Sequence, residues 1–267
     1  MPILKVDGKI FTTHVPVLII GAGACGTIAA LAAQEHGAEV LILERDAKPT
    51  GSTSLSGGQI PAAGTKLQRA AGLLDDTPEL LANDLINKAH GECDKEMAWL
   101  IARESAKTID WLVERHRMPL SCILDFQYPG HSRMHMHASP SRFGAELLAA
   151  LLATIKTEGI SIATSARVTD FYADAGDRIL GVRVTRPDGK TEDVGCDALI
   201  LACCGYGGDQ ALIAKYIPEM VDAHYHRHRG RLSGQPTRQA LLQREHGLFR
   251  ASPESRGPTR PCRLARL

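Results

Sequence analysis

One segment limits the fold of this chain more than any other. Val15 to Ile20 reads VPVLII, an apolar run of the kind that forms a buried parallel strand. It runs directly into Gly21-Ala22-Gly23-Ala24-Cys25-Gly26, then into an Ala-rich stretch to His36 that ends at Gly37. Glu39 to Leu43, EVLIL, follows as a second buried strand, closed by Glu44. Strand, glycine turn, helix, strand and terminal acid in this order predict a βαβ unit that binds a dinucleotide. Gly21 permits the tight turn out of the strand, and Gly23 lets the backbone approach a pyrophosphate. Gly26, with Ala30 one turn later, lets the helix lie close to the sheet. The helix N-terminus offers free N–H groups and the positive end of the helix dipole to phosphate. Glu44 is placed to accept hydrogen bonds from ribose hydroxyls. Arg45 suits a 2′-phosphate, but Glu44 at the strand end repels one, so the pattern argues against NADP.

The segment after Glu44 bears on the choice between NAD and FAD. Instead of another crossover helix, the chain enters a small-residue loop, Pro49 to Thr65, reading PTGSTSLSGGQIPAAGT. Such a loop can press backbone N–H groups and hydroxyls against a phosphate or a flat ring. By composition alone it also reads as a flexible Gly/Ser linker.

Further on, Arg142 to Glu158 is an amphipathic helix with Leu147, Leu148, Leu151, Leu152 and Ile155 on one side. Ser161–Thr164 and Ala166–Asp174 read as strands, the second leading into the hairpin ILGVRVTRPDGKTEDV with Asp188-Gly189 as its turn. Asp197 to Cys203, DALILAC, reads as a separate buried strand running into Cys204-Gly205-Tyr206-Gly207-Gly208.

Taken together, GAGACG, LILER, GSTSLSGGQIPAAGT and ACCGYGG resemble the flavoprotein group of fumarate reductase and succinate dehydrogenase, which includes 3-ketosteroid dehydrogenases. The resemblance covers roughly residues 14–226. It implies FAD as cofactor, with Ser52, Thr53, Gly57 and Gly58 along the flavin and pyrophosphate and Glu44 on the adenosine ribose. It implies adenine contacts from backbone at Val168, and Ala202 and Gly205 at a turn near the cofactor. Cys203-Cys204 departs from the family, where Thr, Gly or Asn is usual. The implied activity is hydride transfer at a carbon–carbon bond next to a carbonyl or carboxylate, on a small dicarboxylate or ketosteroid-like substrate. An NAD-dependent dehydrogenase is the alternative enzyme reading. No catalytic residue is identified.

Two more regions carry readings. Residues 75–117 read as two packing helices, the first capped by Thr77-Pro78 and the second placing Met97, Ile101, Ile109, Leu112 and Val113 on one side. Cys93 and Cys122 read as ordinary buried thiols. His131, His135 and His137 lie in PGHSRMHMHASPSR without cysteine at ligand spacing, so no metal site is assigned. A loop lining the flavin side of the pocket is the preferred reading, with His131 or Arg133 meeting an anionic substrate.

The net charge of +1 hides a division. Residues 1–226 hold 10 Lys and 11 Arg against 28 acids, net −7, whereas 227–267 hold 10 Arg and 2 Glu without Lys, net +8. The family's capping domain and return segment have no counterpart in the basic Arg/Pro-rich tail 227–267. The sequence therefore predicts an incomplete FAD-binding domain over 1–226, followed by a tail that is disordered or a frameshift product. A non-catalytic FAD-binding fragment, a divergent tail and, ranked last, a basic arm for nucleic acid remain as alternatives. No apolar run approaches the roughly 20 residues of a membrane helix, and no secretory signal opens the chain. Seven cysteines without a CxxC pair point to a reducing cytoplasm. The fold class predicted is α/β: a Rossmann-like parallel sheet with helices on both faces, a β-hairpin insertion and an irregular tail.

Overall fold

The computed structural model describes residues 1–205 and 209–218. The chain divides into two units, Met1–Cys204 and Gly205–Leu267. The boundary expected near residue 226 and the tail beyond it lie outside the described residues.

The first unit is α/β, as the motif order predicts. Strand β1 (Ile3–Lys5) is followed by β2 (Thr13–Ile20), helix α1 (Ala24–Glu35) and β3 (Val40–Leu43). The expected loop after Glu44 is partly regular: it holds a short helix, α2 (Gly51–Leu55), and a two-residue strand, β4 (Ile60–Pro61). Then come α3 (Lys66–Ala70), α4 (Pro78–Lys88) and α5 (Lys95–Glu114), followed by β5 (Ser121–Cys122), β6 (Met136–Ala138) and α6 (Gly144–Thr157). Strands β7 (Ser161–Ala163), β8 (Arg167–Ala173), β9 (Ile179–Thr185) and β10 (Thr191–Leu201) complete the unit. In the second unit, α7 (Gln210–Tyr216) is capped by Asp209, whose Oδ1 accepts from the N–H groups of Ala211 and Leu212.

The seven-stranded sheet runs β1-β8-β9-β10-β2-β3-β7, and β10, β2, β3 and β7 are parallel throughout. One face packs Ile19, Val40 and Ile42 against Ala30 and Leu31 of α1 and Ile155 of α6. On the other face Leu18, Ile20 and Leu43 meet Val168, Val182, Val184 and Val194 of the β8–β9–β10 meander. Alternate residues of β2 thus serve both clusters, which is why its sequence is continuously apolar rather than alternating. The far ends of α1, α5 and α6 are tied together by polar contacts. Trp111 donates from Nε1 to Glu35 at 2.7 Å, and Gln34 donates to the Glu158 carbonyl at 2.8 Å.

Two readings are corrected. Asp197–Leu201 is not a separate strand: it continues the hairpin arm, so β10 pairs antiparallel with β9 over Thr191–Gly195 and parallel with β2 over Val194–Leu201. Beyond Gly195 β10 has one described neighbour, and Leu201 is 55% exposed rather than buried. On α5 the buried positions are Ala98, Ala102, Ile109 and Leu112, whereas Met97 and Ile101 are about half exposed. Small residues let the first half of α5 lie close against α4, where Ala102 packs on Leu81 and Ala82, and that turns the larger Met97 and Ile101 outward.

Candidate functional site: a dinucleotide cradle at the ends of the parallel strands

The carboxyl ends of β2, β3 and β10 and the N-terminus of α1 meet at the glycine turn. The Gly21 N–H donates to the Leu43 carbonyl at 2.8 Å, and the Ala202 N–H donates to the Ile20 carbonyl at the same distance. These bonds hold the three strand ends together where ligands bind in sheets of this type. Gly21 has φ +106°, and a Cβ there would lie 2.5 Å from the Ala202 carbonyl oxygen. At Gly26 a Cβ would lie 1.9 Å from the Gly21 carbonyl oxygen, so helix and turn approach as closely as backbone allows. Ala22, between them, is fully buried.

Glu44 serves this turn directly. Its Oε2 accepts from the Ala22 N–H at 2.9 Å, and its Oε1 accepts from the Asp46 N–H at 3.0 Å. Arg45 is exposed and its guanidinium lies 3.1 Å from Asp46, which raises its pKa, chiefly through that hydrogen bond; its charge is matched by a neighbour. The strand that follows returns to the same place, because the Ala166 N–H donates to the Glu44 carbonyl at 2.8 Å, with Val168 two residues further along. Val168 packs its side chain into the core and pairs with Val184.

The small-residue segment closes the cradle from the other side. Thr53 Oγ1 accepts from the Ala24 N–H at 3.0 Å, capping α1 in place of a side chain from Gly23. That leaves the N–H groups of Cys25 and Gly26 in the uncompensated first turn, which carries no acidic residue. A Cβ at Gly23 would come 3.3 Å from Thr53 Oγ1. Ser52 Oγ lies 3.4 Å from Cys204 Sγ across the cradle. Gly57 faces open space, while Gly58 packs on the backbone at Phe143–Gly144.

Gly144, which opens α6, is a further point of close backbone approach that no motif in the sequence marks. Its N–H donates to the Ser56 carbonyl at 3.0 Å, and a Cβ would lie 1.8 Å from the Thr53 carbonyl oxygen. The only local signal is a glycine at the start of a strongly apolar helix, where a better helix former is the usual choice. Gly205 begins the second unit, and Tyr206–Gly208 lie outside the described residues.

Two of the three histidines have other partners. His135 is fully buried, with Nε2 2.8 Å from Asp76 Oδ1 and Nδ1 3.7 Å from Asp84 Oδ2. His137 Nδ1 lies 3.0 Å from the His135 carbonyl, which can only accept, so the proton sits on Nδ1 and Nε2 accepts from the Thr65 hydroxyl at 2.8 Å. The His131 ring lies 5.1 Å from the Tyr128 and His135 rings, tilted 52° and 53° to them, and Arg133 pairs with Asp75 at 3.0 Å. Of the two groups that the sequence reading offered to an anionic substrate, Arg133 is paired with an acid, whereas His131 Nδ1 is buried without a hydrogen-bond partner. Burial holds His131 and His137 below the ordinary imidazole value of 6.5. A histidine whose pKa is lowered in the folded state binds its proton more readily when unfolded. Stability is therefore full above about pH 6.5 and falls as the pH drops below it. Urea midpoints measured from pH 7.5 to 5 are expected to decline in the parent, with a flatter decline in His137→Gln.

The cradle suits an FAD dinucleotide: a close turn without side chains, a half-buried carboxylate on its rim, and an uncompensated helix N-terminus. Comparison with known proteins agrees. The family model for the FAD binding domain matches residues 16–229. A probable fumarate reductase of Shewanella frigidimarina is 29% identical over 210 residues, covering 77% of this chain and 35% of that protein. The open conformation of a flavocytochrome c3 fumarate reductase superposes with TM-score 0.69 at 26% identity, over 79% of this chain and 37% of the other. The 3-ketosteroid-Δ4-(5α)-dehydrogenase of Rhodococcus jostii RHA1 superposes with TM-score 0.67 at 22% identity, over 82% and 52%, a likeness of fold. The chain spans about a third to a half of the length of these proteins. Among the described residues no helix is long and apolar enough to cross a membrane. The chain belongs to the FAD binding domain family, within the fumarate reductase and succinate dehydrogenase group of flavoproteins that its motifs resemble, and its cofactor is FAD.

Proposed function

We propose that residues 1–226 form the N-terminal part of an FAD-binding domain in an oxidoreductase. It transfers hydride at a carbon–carbon bond next to a carbonyl or carboxylate of a small dicarboxylate or ketosteroid-like molecule. The observation that carries this reading is the Glu44 carboxylate, held 2.9 Å from the Ala22 N–H on the rim of the glycine turn. In this reading Gly21–Gly26 and the first turn of α1 receive the pyrophosphate, and Glu44 accepts from the adenosine ribose. The backbone near Val168 borders the adenine. Ser52, Thr53, Gly57, Gly58, Ala202 and Gly205 border the pyrophosphate and flavin. When bound, FAD supplies the two-electron chemistry, and the chain's part is to seat and orient it. The six described cysteines are all free, which favours a reducing compartment such as the cytoplasm.

Titration of the chain with FAD, followed by flavin fluorescence, tests the seat. Hydrogen bonds to a charged group contribute about 1.5–3 kcal/mol, so Glu44→Gln is expected to weaken binding by roughly 10- to 100-fold. A Kd unchanged by Glu44→Gln removes Glu44 from the cofactor site. With the flavin seat established, assays with fumarate and with a 3-ketosteroid decide the substrate class.

A further inference from the structure

Three of the six described cysteines are exposed, and all three surround the glycine turn. Cys25 lies in the first turn of α1, and Cys203 and Cys204 follow β10. The Cys203 Cα is 3.2 Å from where a Cβ at Gly21 would sit, and Cys204 Sγ is 3.4 Å from Ser52 Oγ. The thiols of Cys122 and Cys196, away from the cradle, are pushed up to about 11 by burial and so are poor nucleophiles. Among the described residues, the exposed thiols therefore all lie at one place, the rim of the cofactor seat, while Cys93 is only partly exposed.

The adjacent thiols of Cys203 and Cys204 cannot readily close on each other. Consecutive Cα atoms lie about 3.8 Å apart, below the roughly 4.4–6.8 Å of unstrained disulfides. An internal bridge is thus strained and easily reduced, which leaves the pair open to an outside disulfide.

We propose that the vicinal Cys203–Cys204 pair is a modification site for small-molecule disulfides, with Cys204 as the acceptor, and that its occupation excludes FAD from the cradle. The Cys204 thiol loses its proton to water and its sulfur attacks one sulfur of the disulfide. That S–S bond breaks, a new one forms to Cys204, and the other half of the reagent leaves as a thiolate. An adduct on a sulfur 3.4 Å from Ser52 Oγ fills the space between α2 and the exit of β10. This inference rests on the proposed seat of FAD, and it adds a chemical switch to that seat.

The test uses the full chain and oxidised glutathione, with adducts located by peptide mass mapping and FAD binding followed by flavin fluorescence. Without FAD, Cys204 is expected to be modified ahead of Cys93, Cys122 and Cys196, and the modified protein no longer binds FAD. FAD at a hundred times its Kd leaves about 1% of the seats open, so modification of Cys204 slows by up to about 100-fold. Cys204→Gly is expected to keep FAD binding after the same treatment. Modification of Cys204 at an unchanged rate with FAD bound, or an unchanged Kd after modification, overturns the inference and leaves the FAD seat standing. Failure of the untreated chain to bind FAD overturns the seat itself, and the inference with it.

Discussion

Gly26→Val is expected to destabilise the first unit by about 3 kcal/mol and to abolish FAD retention. The Cβ would lie 1.9 Å from the Gly21 carbonyl oxygen, and 3.2 Å from the Ala202 Cβ. Neither position can yield cheaply. Gly21 is fixed by its N–H bond to Leu43, and Ala202 by its N–H bond to Ile20, so relieving the clash means moving α1 away from three strand ends at once. Overpacking a close-packed contact costs about 1–3 kcal/mol, and the backbone character of this one puts it at the upper end. For a domain of this size each kcal/mol lowers Tm by about 2–4 °C, so differential scanning fluorimetry should record a fall of roughly 6–12 °C. The same shift moves the helix N-terminus off the phosphate position. A Gly26→Val protein with the parent's Tm would show that α1 can retreat without loss, and that the turn is not the rigid part of the cradle.

Asp76→Ala is expected to cost about 3–5 kcal/mol, although Asp76 has no part in the cofactor site. Its carboxylate is buried and receives His135 Nε2 at 2.8 Å on one oxygen and the Gln68 amide on the other. Gln68 is the last member of a capping box with Thr65, and Thr65 in turn meets His137. One carboxylate therefore ties α3 to β6 of the small three-stranded sheet, whose order is β4-β6-β5. Removing it leaves a buried histidine without its principal acceptor, and Asp84 Oδ2, 3.7 Å from Nδ1, already accepts from Ser132. The double variant Asp76→Leu/His135→Leu is expected to recover much of the loss, because two apolar side chains remove the unpaired polar group along with its partner. Chemical denaturation of the parent, the single and the double variants checks both steps. A single variant within about 1 kcal/mol of the parent would mean that water replaces the carboxylate, and that the network is not a dry one.

Local sequence was sufficient for the βαβ unit. VPVLII, the glycine turn, the Ala-rich helix and EVLIL form their elements from neighbours in sequence, and each specifies its own role: apolar continuity for a strand covered on both faces, glycine for close approach. The position of Glu44 at the strand end was legible for the same reason, since the end of β3 is fixed once β2 and α1 are placed. The hairpin turn at Asp188-Gly189 was likewise local, and Gly189 has φ +83°.

What only the tertiary structure decided involves partners distant in sequence. Gly144 matters because its backbone meets Ser56 and Thr53, and no local pattern brings α6 to α2. Three imidazoles in seven residues invite a metal, and no cysteine lies at ligand spacing to support one. The partners of His135 and His137, namely Asp76, Asp84 and Thr65, lie 51–72 residues earlier, so the local pattern does not reveal that these two rings are engaged. The apolar periodicity of α5 placed Met97 and Ile101 with the buried side, because period alone does not weigh small residues against large ones when two helices approach closely. The sequence alone determined the βαβ elements and the glycine turn between them, whereas Thr53 and Ala202, distant in sequence, complete the packing of that turn. Tertiary structure determined which polar groups are satisfied and which thiols remain open, because burial and hydrogen bonding are properties of the packed chain and not of its local pattern.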